Sequence, residues 1–309
     1  MIRFVLSLTL CQCTIMAQEM VVKPIRVPLE KPVITLKSPS KYEKRIIGQN
    51  PMTGEMLYYD PRPRVILIDA RTKKYGLRWV GHDGKEKTVI YQRPDGVDIV
   101  VSVSVSRVTG GQFLYLYSIA NLRSSAEYLS TIALQNYSSN VTPIKNPGLY
   151  VGGVTRNARE FKDGNWIGFS ILSHDVTPGQ NVEVKLLSGS PPGLVECRAA
   201  GVLGMKGVGE EMPQELENVL PGYEAWPHGY TIGPIDRLQS LSHAERANYL
   251  ANLFPQFRKL GWISPVVSRW YEQNLKQENL SQVLRQSEQD VKSGKMTSEV
   301  YGMIQAINY

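Results

Sequence analysis

What the sequence is short of narrows it first. It has three cysteines, and two of them, Cys11 and Cys13, stand in an N-terminal stretch that reads as a leader, leaving Cys197 with no partner in the remaining chain. That excludes a disulfide framework. Cys197 shares an alternating face with Val195 and Ala199, which predicts a buried structural thiol. Histidine is equally scarce: His82, His174, His228 and His243 stand far apart, with no His-Glu-x-x-His or Cys-x-x-Cys pairing. No ready zinc or haem ligand set exists, so neither metal nor cofactor is expected. The serines near His174-Asp175 lack a Gly-x-Ser-x-Gly elbow, and adjacent strand residues point to opposite faces, so no hydrolytic group is expected there. Lys206 is followed by Gly207 rather than Ser or Thr, which removes a phosphate-loop reading of the glycines at 201, 204, 207 and 209. Nor does any recognition helix, zinc motif or RNA-binding aromatic pattern accompany the basic charge, so nucleic acid is not an expected partner. The chain is read as non-enzymatic.

The N-terminus has a leader's form. Met1-Ile2-Arg3, an apolar run over 4–10, and Thr14-Ile15-Met16-Ala17 fit a secretory signal peptide over residues 1–17. Its apolar run is too short to span a bilayer, so the mature chain is expected without an integral membrane span, secreted, periplasmic or at the cell surface. Lipidation at Cys11 is the other reading, but Leu8-Thr9-Leu10 lacks the small residues that such a site would be expected to have.

Residues 18–45 read as an extended, basic arm. Pro24, Pro28, Pro32 and Pro39 rule out helix and favour extended geometry. Lys and Arg outnumber Asp and Glu nearly two to one over residues 18–87 and are balanced by them thereafter, so the net charge of +7 belongs to this end. Such an arm suits an anionic polysaccharide, the acidic face of a neighbour, or plain solvation. Its apolar residues, among them Val22, Ile25, Val27, Leu29, Val33 and Ile34, are too many for a solvated linker. They call for cover, either by this chain's own sandwich or by strand addition to a neighbouring subunit.

Residues 46–205 read as an antiparallel β-sandwich. Residues 46–87 are expected to be loop-rich with a strand or two around Val65-Ile66-Leu67-Ile68. Strict alternation then puts Ile99, Val101, Val103 and Val105 on one face and Ser102, Ser104 and Ser106 on the other. Thr109-Gly110-Gly111 closes a hairpin into a strand over 113–119. Further strands are predicted at 87–92, 127–134, 149–154, 165–172, 180–187 and 194–202, with turns at Thr177-Pro178-Gly179-Gln180 and Pro192-Gly193. Residues 200–209 are expected to be a glycine-rich hinge.

Tyr115-x-Tyr117-x-Ile119-x-Asn121, the strand at 129–134, Trp166-x-Gly168-Phe169, Val176-x-Pro178-Gly179 and Ser188-x-Ser190-x-Pro192-Gly193 together resemble immunoglobulin-like sandwich regions of secreted bacterial proteins. The resemblance covers about a third of the chain; it implies export and a sandwich and carries over no catalytic residue.

From Pro213 the period changes to helical. Ser242-His243-Ala244-Glu245 is a capping box, followed by Ala247, Leu250, Phe254, Phe257 and Leu260, with a break or kink expected at Pro255. Ser264-Pro265 opens a second helix, residues 279–293 a third and residues 297–308 a fourth, so residues 213–309 are expected to be a small all-α domain. Gly261-Trp262-Ile263 and Ser293-Gly294-Lys295-Met296-Thr297 are similar to the FIMAH helical domain of exported bacterial proteins, a resemblance that assigns no function.

Phe113, Tyr115 and Tyr117 share a strand face and read as core, whereas Tyr58, Tyr59, Tyr150 and Trp226 lie near turn residues and are the candidate exposed rings for a glycan. The reading is thus an exported structural or interaction protein that associates with a protein partner or itself through the arm. A glycan or cell-wall binding module is its alternative.

Overall fold

The computed structural model describes residues 26–39, 45–59, 63–81, 83–139, 141–143, 149–151, 154–156, 158–171, 176–201, 204–206 and 212–307. Residues 1–25, with the expected leader and Cys11 and Cys13, lie outside them.

After the arm, β1 (Arg45–Gln49) and β2 (Met56–Tyr59) form a two-stranded ribbon. Then β3 (Arg64–Asp69), β4 (Lys74–Val80) and β5 (Glu86–Gln92) form an antiparallel sheet. This region, expected to be loop-rich with a strand or two, forms more strand than that among its described residues because Tyr75, Leu77, Trp79, Val89 and Tyr91 alternate onto one face. That face is covered by Leu36 of the arm and Leu216 of a short helix, α1 (Gln214–Glu217), making a second core.

The sandwich follows. β6 (Ile99–Arg107), β7 (Phe113–Asn121) and β8 (Leu129–Gln135) lead to the short β9 (Val141–Pro143), β10 (Leu149–Val151) and β11 (Val154–Arg156). β12 (Ala158–Asp163), β13 (Trp166–Ile171), β14 (Asn181–Ser188) and β15 (Pro192–Gly201) complete its consecutive strands. One sheet runs β11-β10-β14-β7-β6, with β9 also on β14, and the other runs β12-β13-β8-β15 and ends in a strand from beyond Met212, β17 (His228–Pro234). With β6, β7 and β14 as strands A, B and E of one sheet and β8, β15 and β17 as C, F and G of the other, the arrangement is immunoglobulin-like. Burial alternates along β7 from Phe113 to Asn121 without a slip, and the inward residues of both sheets meet in one core. The Gly179 turn has φ +92 and the Gln180 N–H donates to the Thr177 carbonyl at 3.0 Å, as the Pro-Gly pair predicts.

Two boundaries differ from the sequence reading. Gly204 does not lie in a hinge: β16 (Gly204–Lys206) pairs with β5 and ties the end of β15 to the four-stranded sheet. Likewise β17 returns to the sandwich from the segment read as purely helical, because its backbone completes the edge beside β15 from Pro192 to Arg198.

The C-terminal bundle comprises α2 (His243–Lys259), α3 (Pro265–Lys276), α4 (Leu280–Lys292) and α5 (Ser298–Ile307). Both halves of the Ser242–Glu245 capping box are made. The expected break at Pro255 does not occur: α2 runs through it, since one missing N–H is outweighed by burial of Phe254 and Phe257 on either side. Phe254 stacks on Tyr271 with centroids 5.7 Å apart, and the Tyr271 hydroxyl donates to Asp290 Oδ2 at 2.7 Å. The loops carrying Trp262-Ile263 and Lys295-Met296 pair across the bundle, Ser264 N–H to Lys295 O at 2.7 Å and Thr297 N–H to Trp262 O at 2.9 Å. The bundle shares the sandwich core: α5 packs on β6 so closely that a Cβ at Gly302 would lie 3.3 Å from Val105 Cβ.

Candidate interaction site: the arm on the open side of the sandwich

A two-sheet sandwich leaves one side open where the edge strands β6 and β17 face each other, and exposed edges invite pairing. Here the arm closes that side by bonding both edges. Leu29 N–H donates to the Ile99 carbonyl of β6 at 2.7 Å. Glu30 and His228 of β17 exchange two backbone bonds of 2.8 and 2.9 Å. The Leu29 side chain drops into the shared core, and Gly229 makes room for it: a Cβ there would lie 2.8 Å from Leu29 Cδ2.

Helix α5 covers the rest of β6. Glu299, 2 % exposed, accepts the Val103 N–H at 2.9 Å, so a carboxylate takes the place of a missing strand. Arg26 of the arm reaches the same carboxylate at 3.1 and 3.2 Å and Ser298 Oγ at 3.3 Å. Arm, helix and edge strand therefore meet on one buried acid. Further along, Lys31 bridges Asp98 at 2.6 Å. Partial burial pushes the Asp98 carboxyl up, but hydrogen bonds from Lys31 and Ser124 with the Lys31 charge outweigh it and hold that carboxyl below its ordinary value.

Of the expected arm contacts, Leu29 is therefore held by its own chain, Ile34 is half-buried, and Val27 and Val33 are exposed, Val33 completely. Val22 and Ile25 lie outside the described residues. Leu36, which the sequence reading passed over, is the arm's anchor in the second core.

The expected ring surface fares differently. Trp226 is a correction: it is 5 % exposed and packs with Ala133, Ala200 and Trp166, because the return into β17 folds it under the second sheet. Arg198 stacks over the Trp166 ring with its guanidinium carbon 4.6 Å from the centroid. Tyr58 and Tyr59 lie on β2, and Tyr150 on β10 opposite Glu183 of β14; their side chains lie outside the described residues. Phe113, Tyr115 and Tyr117 are core, with the Tyr115 and Tyr117 hydroxyls donating to the Ser190 and Ile232 carbonyls at 2.7 and 2.8 Å. Burial raises both phenols well above their usual range. Cys197 is buried beneath them, its thiol pushed up to about 12 by burial and then by the Glu196 charge, which makes it inert.

His228 and His243 are exposed, His82 and His174 lie outside the described residues, and among the described residues no group of three His, Cys, Asp or Glu side chains could hold a metal. Asp236 sits among serines: its Oδ2 accepts the Ser139 N–H and hydroxyl, both at 2.8 Å, and its Oδ1 the Ser190 hydroxyl. Side-chain bonds from Ser138, with those from Ser139 and Ser190, hold its carboxyl far below the ordinary range, and the cluster locks the turn after β14 to the end of β17.

A second buried acid marks the seam between the four-stranded sheet and the sandwich. Glu127, 5 % exposed, accepts a 2.6 Å bond from Gln92 Nε2 through Oε1, while Oε2 has no hydrogen-bond partner among the described residues. It fills space left by two glycines: a Cβ at Gly96 would lie 2.1 Å from Oε1, and one at Gly201 2.4 Å from Oε2. Beside it runs the buried Arg93–Asp95 pair at 2.8 Å, from which Arg93 reaches the Pro32 carbonyl of the arm at 3.5 Å. Burial first, and the Asp95 charge, raise the Glu127 carboxyl to about 7 against the opposing pull of Gln92, Lys31 and Lys74. Sequence reasoning missed Arg26, Glu299 and Glu127; glycines at 96 and 201 were the faint signal for the last.

No family model and no curated protein sequence matches the chain. Among solved structures, the chain is similar to the chitin-binding domain of a chitinase from Pyrococcus furiosus, with 14 % identity and TM-score 0.25 over 35 % of this chain and 98 % of that one. It is also similar to an uncharacterised immunoglobulin-like protein from Nocardia farcinica, with 10 % identity and TM-score 0.25 over 42 % and 95 %. The major pilin SpaD from Corynebacterium diphtheriae overlaps at 9 % identity and TM-score 0.26 over 53 % of this chain and 60 % of its own. Overlaps this partial say nothing of function. No described helix is long and apolar enough to cross a membrane.

Proposed function

We propose that the chain is an exported, non-enzymatic structural or interaction component of a bacterial envelope or extracellular assembly, one that associates with copies of itself by lending its arm. The observation that carries this reading is the closure of the open side by residues 26–30, a segment outside the sandwich strands whose contacts fall on Ile99, His228 and Glu299. A neighbour's arm offers the same Leu29, Glu30 and Arg26, and exchange of an identical element between copies needs no new contact. The leader-like residues 1–17 support export. A glycan-binding module is the weaker reading, since Trp226, one of its candidate rings, is buried.

Light scattering on the mature chain over a concentration series tests this directly. Oligomers should grow with concentration and shrink when a synthetic peptide of residues 22–34 is added in excess. A chain that stays monomeric at every concentration, or oligomers indifferent to the peptide, would end the arm-exchange reading.

A further inference from the structure

Glu127 stands where three parts of the chain meet. The arm arrives through Lys31 and Pro32, the four-stranded sheet through Lys74 and Gln92, and the sandwich through the loop that carries Glu127 and the end of β15 at Gly201. Backbone bonds stitch the same place, Arg93 N–H to Lys73 O at 3.1 Å, Gly201 N–H to Pro94 O at 2.8 Å and Ala126 N–H to Gly96 O at 2.8 Å. A buried acid at such a junction would ordinarily be met by a cation. Here the cations are engaged elsewhere: Arg93 is paired with Asp95, and Lys31 with Asp98. Lys74 and Lys31 pull on Glu127 only through space, Asp95 pushes against it, and Gln92 Nε2 donates a hydrogen bond to Oε1. Oε2 faces Gly201 with no acceptor or donor opposite among the described residues, a place that tolerates a neutral carboxylic acid far better than a carboxylate.

We propose that Glu127 is a proton-operated latch on this seam: with its proton it holds arm, sheet and sandwich together, and on ionisation it loosens the linker over residues 93–98 and the arm over residues 31–39. The two glycines make the device possible, because they let the carboxyl reach a spot where no described group bonds Oε2. The raised carboxyl places the change near neutrality, within the range an exported protein meets. The latch operates within one copy of the chain and stands whether or not arms are exchanged.

Hydrogen exchange on the full chain, read by mass spectrometry, compares wild type with Glu127→Gln at matched pH so that the intrinsic rate cancels. At pH ~4, below the ordinary carboxyl value, the two should exchange alike over residues 26–39 and 92–98; at pH ~8.5 wild type should exchange about a hundredfold faster there, the order that a carboxyl raised to about 7 implies. Equal rates at both pH values would overturn the proposal. A second measurement needs no variant: the carbon-13 shift of the Glu127 carboxyl should titrate together with amides of the arm. Titration in the ordinary carboxyl range, or arm amides that do not move with it, would also overturn it.

Discussion

Two buried glutamates with opposite surroundings organise the arm's two attachments. Glu299, on the open side, has an arginine and a strand N–H aimed at it; Glu127, at the seam, has one amide and an oxygen with no partner among the described residues. Burial is similar, so the difference lies in what burial was matched with. A buried acid given a cation and a donor acts as a fixed tie, whereas one denied them is pushed towards its neutral form.

The sharpest way to break the comparison is Glu299→Ala. It strands both the Val103 N–H and Arg26, and should cost about 3 kcal/mol in denaturant unfolding, the low end for a broken buried pair because Arg26 is partly exposed. Next comes Leu29→Ala, which empties the core notch at Gly229 and should cost about 2 kcal/mol by the same assay. Glu127→Gln should act in the other direction. Below the ordinary carboxyl range both folded and unfolded chains hold the proton and no difference arises. Between there and about 7 the folded chain keeps a proton that the unfolded chain has released, so wild-type stability falls as pH rises. The amide variant should lack that slope and be more stable above neutrality by roughly 3 kcal/mol, while matching wild type below the ordinary carboxyl range in thermal unfolding. The smallest effect belongs to Lys31→Ala, whose partly exposed bridge to Asp98 should be worth less than about 1 kcal/mol and weaken with salt.

Much of the sandwich was legible beforehand because a period of two is hard to disguise: the strands carrying Val101, Tyr117 and Val184 lie within a residue or two of their expected places. The helices declared themselves through Ser242, Pro265 and Gly294. Residues 46–87 were harder, since their turns are dense and their apolar faces make sense only once Leu36 and Leu216 lie over them. β17 was invisible for a related reason: His-Gly-Tyr-Thr-Ile-Gly-Pro has two glycines and little alternation, and it becomes a strand because β15 offers it a row of backbone partners. Trp226 illustrates the hazard of judging exposure from nearby turn residues, as it is the return of β17 that buries it.

By itself the sequence determined which stretches alternate, where the chain turns and where helices begin, because these depend on side chains within a few residues of one another. Only the tertiary structure decided that the arm lies across Ile99 and His228, that α5 lends a carboxylate to an edge strand, and that Glu127 is shut away with one oxygen unanswered among the described residues. Those are properties of residues up to 273 positions apart, such as Arg26 and Glu299, and no local pattern announces which acid will be left facing a cation and which will not.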